Sequence, residues 1–132
     1  MAYAEMLDRT SVRAAAVATT SFVATTAINC AGENQLFLEV VYTAGNSTAL
    51  ELYLESSNDG GTTYFREVTE SVAASGTVTG ALLVRSFAAA QAGNLLIAVP
   101  FKAGLVRAQI RVTVDATNSS VSCAIVRTRL YA

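Results

Sequence analysis

The chain has 132 residues, of which 52% are hydrophobic and only 14% are charged, and its nine basic and ten acidic side chains give a formal net charge of −1. This balance argues against a nucleic-acid partner, because binding to a phosphate backbone normally needs a concentrated basic face. No stretch approaches the ~20 consecutive apolar residues of a membrane span, so we expect no membrane partner.

The first third of the chain gives the weakest signals of secondary structure. Residues 12–19 and 22–30 are rich in alanine, which favours helix, and in threonine and valine, which favour strand. We predict strands in both segments, with a helix over residues 11–18 as the alternative. Glu5 and Asp8 do not suit the basic start of a signal peptide, so we expect synthesis in the cytoplasm.

Two later segments alternate between apolar and polar residues with a period of two. Across residues 50–55 the leucines face one side and the Glu-Tyr-Glu set faces the other, and residues 106–115 repeat the alternation. Both therefore predict half-buried strands. Residues 35–43 are rich in apolar residues and predict a strand near the middle of a sheet. Further strands are predicted at 62–70, 77–85, 95–101 and 121–131, and a helical turn or loop at 86–92.

Turn-forming residues separate these predicted strands. Residues 58–61 (Asn-Asp-Gly-Gly) predict a hairpin because Asn and Gly tolerate positive φ, and residues 44–47 and 116–120 have a similar composition. Pro100 fits a strand end, an edge or a bulge. Seven to nine short strands with this spacing predict an all-β fold, a single antiparallel β-sandwich or jelly-roll-like domain over residues 1–132.

The residues that could support catalysis or metal binding are few. The chain contains no histidine, which excludes Ser-His, Cys-His and His-metal arrangements within it. Glu51 and Glu55 would lie about 13 Å apart along a strand at ~3.3 Å per residue, too far for a catalytic carboxylate pair. Asn58, Asp59 and Glu67 lack the pattern of a calcium loop, and turn chemistry accounts for the first two. We expect no enzyme activity, no metal and no cofactor.

The two cysteines, Cys30 and Cys123, lie among largely apolar neighbours. Their positions give no metal-binding or redox motif. We predict two buried thiols, with a disulfide between them as the alternative.

Three aromatic residues near the predicted hairpin, Tyr53, Tyr64 and Phe65, could form a stacking platform for a sugar. A carbohydrate-binding β-sandwich module is therefore the alternative function. Cross-strand packing is the more usual role of aromatic residues in strands.

Four arginines are predicted on polar strand faces: Arg107, Arg111, Arg127 and Arg129. If their strands pair through the turn at 116–120, the guanidinium groups form a band that could meet carboxylates of a neighbouring subunit. We predict this band as a candidate interface. The alternative is a solvated face whose charges are balanced by Glu39, Glu51 and Glu55.

The low charge also predicts assembly. The chain has one lysine, Lys102, beside eight arginines, and arginine is favoured over lysine at protein interfaces. A near-neutral surface of small residues is prone to association. We expect a homo-oligomer, with an ordinary monomer that has a surface of small residues as the alternative.

Residues 50–67, LELYLESSNDGGTTYFRE, resemble a strand–hairpin–strand unit of small β-sandwich virion proteins of tailed bacteriophages. The resemblance implies a capsid decoration (cement) or head-surface protein, often a homotrimer, which binds the major capsid protein or another virion protein. Its location would be the capsid surface of the virion, after synthesis in the host cytoplasm. A tail or fibre position within the virion is also compatible with the resemblance.

Overall fold

A computed structural model describes residues 3–30, 35–100 and 104–131, with the side chains of residues 3–7 and 129–131 outside that description. This part of the chain contains one short 3-10 helix, Ala89–Gln91, and no helix long and apolar enough to cross a membrane. The strands are β1 (Tyr3–Ala16), β2 (Val23–Ala24), β3 (Ile28–Asn29), β4 (Gln35–Thr43), β5 (Ala49–Ser57), β6 (Phe65–Arg66), β7 (Val68–Val72), β8 (Val78–Leu82), β9 (Arg85–Ala88), β10 (Gly93–Val99), β11 (Leu105–Val112) and β12 (Ser120–Tyr131). The predicted all-β fold is confirmed.

Two antiparallel sheets form the sandwich. The first has the order β1-β12-β4-β10, and the second has the order β2-β11-β5-β6, with β3 also pairing with β11 and β9 with β5. β4 lies between two neighbours, as its apolar sequence predicts. β5 and β11 pair directly, so the two segments with the clearest alternation in sequence are neighbours in the second sheet. A separate two-stranded ribbon consists of β7 and β8.

The core lies between the inner faces of the two main sheets. Its largest fully buried side chains come from both sheets: Tyr42, Leu36, Leu38, Leu50, Leu52, Leu54, Ile110 and Val40. The inward positions of each strand follow the period of two, because successive side chains of a strand point to opposite faces. The burial of all three leucines in β5 confirms the predicted inner face of that strand.

The N-terminal region is a strand and not the alternative helix at 11–18. β1 begins at Tyr3, earlier than the predicted 12–19 segment, and pairs with β12 along its length with three irregularities in register. Tertiary pairing therefore overrides the helical preference of its alanines. The predicted strand at 22–30 is reduced to the two short strands β2 and β3, which pair with β11.

The turns have two different roles. Residues 58–61 lie in the predicted hairpin that joins β5 to β6, where the Ser57 hydroxyl oxygen accepts a hydrogen bond from the backbone N–H of Gly61 at 2.9 Å. The turns at 44–47 and 116–120 instead carry the chain from one sheet to the other. The predicted strand at 77–85 is divided between β8 and β9, and the 86–92 segment contains the end of β9 and the 3-10 helix.

Candidate interaction surfaces

The predicted arginine band is not formed. Arg107 and Arg111 lie on β11 of the second sheet, whereas Arg127 and Arg129 lie on β12 of the first sheet. The turn at 116–120 joins two sheets instead of closing a hairpin, so β11 and β12 do not pair. Arg127 lies opposite the buried Leu36 and is therefore on the core-facing side of its sheet, where it forms an ion pair with Asp8. The side chain of Arg129 lies outside the described residues.

The outer face of β5 and β11 contains a buried carboxylate. Glu55 is 3% exposed, and its Oε1 accepts hydrogen bonds from Nε of Arg107 at 2.5 Å and from Nε2 of Gln109 at 2.9 Å. The antiparallel register places Arg107 directly opposite Glu55 and Gln109 opposite Tyr53. Two donors therefore satisfy the buried charge within the chain, as burial of an ion requires.

Aromatic rings cover this face and complete its network. The guanidinium of Arg107 stacks 3.5 Å from the ring centroid of Tyr64. Phe22 contacts Tyr53 edge-on with a centroid distance of 4.8 Å, and the guanidinium of Arg111 lies 4.4 Å from the Phe22 centroid. Contacts of this type combine cation–π attraction with apolar burial. The side chains on this face therefore pack against one another.

The three aromatic residues predicted as a sugar platform do not form one. Tyr53 is only 5% exposed, and the guanidinium of Arg66 lies 5.2 Å from its ring centroid. Tyr64 stacks with Arg107 on one side. Phe65, by contrast, is 65% exposed. Sugar stacking needs open ring faces on one surface, and two of these three rings are occupied by side chains of the same protein.

The carboxylates considered for catalysis have ion-pair partners. Glu51 contacts Arg111 at 2.7 Å and Glu55 contacts Arg107. Of the three carboxylates predicted to balance the arginines on a solvated face, Glu51 and Glu55 pair with Arg111 and Arg107, whereas Glu39 lies on the other sheet and pairs with Arg9. Glu55 is buried, so this part of the face is not solvated. An interface role for Arg107 or Arg111 stays a prediction.

The residues considered as calcium ligands form other contacts, within the hairpin loop and in an ion pair. Asp59 accepts hydrogen bonds from the backbone N–H of Thr63 and from the hydroxyl of Ser57, and these bonds hold the pKa of Asp59 below its ordinary value. Glu67 forms an ion pair with Arg85 at 2.7 Å. In the described part of the chain, no cluster of three or more Cys, Asp or Glu side chains could hold a metal ion.

The outer face of β4 and β10 is a second candidate surface. It contains a groove of about 300 Å³ lined by Arg9, Glu39, Val41, Asn94 and Leu96, among others. Leu96 is 66% exposed and Val41 is 43% exposed, so both present apolar surface to the solvent. Nε of Arg9 donates to Oε1 of Glu39 at 2.5 Å across the intervening strand β12. The groove therefore combines exposed apolar side chains with an exposed ion pair.

The β7–β8 hairpin is the third candidate surface. All its strand residues are exposed apart from the half-buried Leu82. Val68 lies opposite Leu82 and Val72 opposite Val78, so these four residues share one face of the ribbon. The three valines are 55–71% exposed. The sequence predicts strands at 62–70 and 77–85 but not this surface. The signal for the hairpin is the two short valine-containing runs on either side of Ser75 and Gly76.

Both cysteines are buried thiols, as predicted. Cys30 packs in the core, and its Sγ donates a hydrogen bond to the carbonyl oxygen of Ile28. Burial raises the pKa of Cys123 to about 11. A thiol of this pKa is almost entirely protonated at neutral pH and is therefore a poor nucleophile.

Comparison with known proteins identifies no family for the chain. No family model matches it, and no curated protein matches it. Among solved structures, it is similar to the SPBc2 prophage-derived protein YomS, with 15% sequence identity, coverage of 96% of this chain and 95% of that chain, and a TM-score of 0.44. At this TM-score the likeness carries no argument about the fold or function of the chain.

Proposed function

We propose that the chain is a non-enzymatic structural protein of a bacteriophage virion, which decorates and stabilises the capsid as a homo-oligomer, in particular a homotrimer. The observation that carries this proposal is the exposed apolar face of the β7–β8 hairpin, formed by Val68, Val72, Val78 and Leu82. A two-stranded hairpin by itself is at best marginally stable in water. The two apolar pairs flank the Glu70–Gly80 pair on one exposed face. Exposed apolar side chains grouped on one face mark an interaction site, so this hairpin gains stability when another protein covers it.

Three further observations support an assembly role. The charged fraction of 14% is low for a small domain, whose surface is large relative to its volume. The outer face of β5 and β11 is packed by its own arginines and aromatic rings, which leaves little open surface for a small ligand. The resemblance of residues 50–67 to small virion proteins supports a phage capsid as the site of assembly. Many repeated copies on a shell make weak individual contacts sufficient.

The test uses tailed-phage particles produced by a host that carries the gene. Particles purified on a density gradient are expected to contain the protein in a fixed ratio to the major capsid protein, measured by quantitative mass spectrometry. Val72→Asp is expected to lower that ratio about tenfold or more, because a carboxylate would be buried in the contact.

Val114→Asp is the matched control, because Val114 is 79% exposed and lies outside the hairpin. It is expected to leave the ratio unchanged. Absence of the wild-type protein from purified particles would contradict the virion role.

A further inference from the structure

We propose that the free edge of β10 is the docking site for an extended segment of another protein. The segment adds to the first sheet as a further strand, and its inward side chains fill the cleft between β10 and β9. This inference rests on the proposed function only for the source of the segment, which is then a protein of the virion shell.

The outer side of β10 has no neighbouring strand within the described part of the chain. β10 is the last strand of the first sheet and pairs with β4 in a continuous register along all seven of its residues. In an antiparallel pair, successive residues direct their backbone N–H and C=O groups to opposite sides of the strand, so every second residue of β10 directs these groups away from β4. A row of unpaired backbone groups is a template for pairing with another strand.

The sequence of β10 lacks the features that normally protect an open edge. Charged side chains, proline and bulges discourage the pairing of edge strands. β1, at the opposite edge of the same sheet, has charged residues such as Asp8, Arg9 and Arg13 and three irregularities in register. The sequence of Gly93–Val99 contains no charged residue and no proline. The contrast between the two edges of one sheet indicates that the edge of β10 is used for pairing.

A cleft beside β10 determines which kind of strand can pair there. The cleft has a volume of about 460 Å³ and lies between β10 and β9, with Phe87, Leu96 and Ile97 among its lining residues. Phe87 pairs with the fully buried Leu50 and is therefore on the core-facing side of the second sheet, yet Phe87 itself is only half-buried. The core of the sandwich is therefore open along this side.

The cleft fits apolar side chains without charge. Arg85, the charged residue in its lining, forms an ion pair with Glu67 at 2.7 Å, so its charge is already balanced. Neighbouring strands lie about 4.8 Å apart and packed sheets about 10 Å apart, so the inward side chains of a strand beside β10 reach Phe87. The occupant is therefore a segment with apolar residues at every second position.

A second copy of the chain does not fill this cleft. If β10 paired with β10 of another copy, the inward side chains of the added strand would include Ile97 and Val99, which are each 6% exposed because they are buried in their own core. These side chains are not free to enter a second cleft, so two unfilled clefts would lie side by side, and protein interiors are close-packed. A segment whose inward face is free fills the cleft, which favours a different protein as its source.

The test uses the wild-type protein and a fluorescein-labelled peptide, Lys-Thr-Val-Thr-Leu-Thr-Val-Thr-Lys, in which apolar and polar residues alternate. The control peptide, Lys-Thr-Thr-Val-Leu-Val-Thr-Thr-Lys, has the same composition without the alternation. Fluorescence anisotropy is expected to give a dissociation constant for the alternating peptide that is lower by about tenfold or more. Equal binding of the two peptides, or binding of neither, would overturn the proposal.

Hydrogen exchange measured by mass spectrometry locates the bound peptide. The backbone amides of Gly93–Val99 are expected to exchange about tenfold more slowly or less when the alternating peptide is present, because hydrogen bonds protect amides from exchange. The exchange of β1 is expected to stay unchanged. Unchanged exchange of β10 would overturn the proposal. Protection of β10 that increases with protein concentration in the absence of peptide would also overturn it, because a second copy would then cover the edge.

A charge on the edge provides a matched pair of variants. Leu96→Lys places a cation opposite Glu39 on an exposed position of the edge, so the subunit is expected to stay folded while its dissociation constant for the alternating peptide rises about tenfold. Val114→Lys, at a position that is 79% exposed and outside the cleft, is expected to bind the peptide as the wild-type protein does. Equal binding by the two variants would overturn the proposal.

Hydrogen exchange of the wild-type protein on purified phage particles separates this inference from the proposed function. The attached protein is expected to show the same protection of Gly93–Val99. Attachment without this protection would overturn the docking site and leave the virion role intact. Absence of the protein from particles, together with specific binding of the alternating peptide, would count against the virion role and not against the docking site.

Discussion

Removal of Arg107 tests the importance of the ion pair beneath the aromatic layer of β5 and β11. Arg107→Ala leaves Glu55, which is 3% exposed, with the amide of Gln109 as its remaining side-chain donor. Removal of one partner of a buried pair costs about 3–5 kcal/mol, and the 27% exposure of the Arg107 side chain favours the lower end. We expect a loss of about 3 kcal/mol, with loss of the stack on Tyr64 included.

The matched control is Arg9→Ala. Arg9 and Glu39 form a contact of the same 2.5 Å length, but their side chains are 55% and 39% exposed. An exposed pair contributes at most about 1 kcal/mol. Urea unfolding followed by circular dichroism should be carried out in the Val72→Asp background, so that association does not contribute to the measured stability. Equal losses for the two variants would refute the argument that burial of Glu55 makes Arg107 essential.

Three further predictions concern the core, the turns and the response to acid. Leu52→Asp is expected to abolish folding because it buries an unpaired carboxylate. Tyr53→Ser is expected to fold, with a loss of about 2–4 kcal/mol in the free energy of unfolding measured in urea. Equal effects of the two substitutions would contradict the assigned strand faces. Gly104→Ala is expected to cost about 2–5 kcal/mol of stability, because Gly104 has φ +75° and an added Cβ would overlap the Ser57 carbonyl oxygen. Gly76→Ala is expected to cost about 1 kcal/mol, because Gly76 has φ +86° but an added Cβ would meet only open space. Thermal melts that show equal losses for the two variants would contradict this. Hydrogen bonds from Thr63 and Ser57 lower the pKa of Asp59 from its ordinary value of 3.8, and hydrogen bonds from Thr117 lower the pKa of Asp115 in the same way. The two carboxylates therefore contribute to stability above pH 3.8, and this contribution is lost as the pH falls towards the lowered pKa values. Urea midpoints that stay constant down to about pH 2 would contradict this.

The sequence predicts the central strands of the sandwich well. In β5 and β11 the alternation of apolar and polar residues corresponds to a real difference between the inner and outer faces, and the inner leucines are fully buried. β4 has the bounds that its apolar composition predicts, from Gln35 to Thr43. The prediction is correct for these strands because burial of one strand face against the opposite sheet requires apolar residues on that face.

The candidate surfaces were harder to predict because they depend on which strands are neighbours. The arginine band assumed that β11 and β12 pair, and turn composition does not distinguish a hairpin from a connection between sheets. The polar or amphipathic residues Glu51, Tyr53 and Glu55 predict a solvated outer face of β5. In the structure, Phe22 and the arginines of β11 cover that face. That covering comes from residues far away in sequence, which local periodicity does not show.

The central claim is that the protein acts as an assembly whose contacts depend on the β7–β8 hairpin. Light scattering of the purified protein at micromolar concentration, coupled to size-exclusion chromatography, tests this claim most directly. The wild-type protein is expected to have a mass that is a multiple of its 13.8 kDa subunit, and Val72→Asp is expected to shift the mass to that of the subunit while the circular dichroism spectrum stays the same. A wild-type mass of 13.8 kDa across the accessible concentration range would contradict the claim.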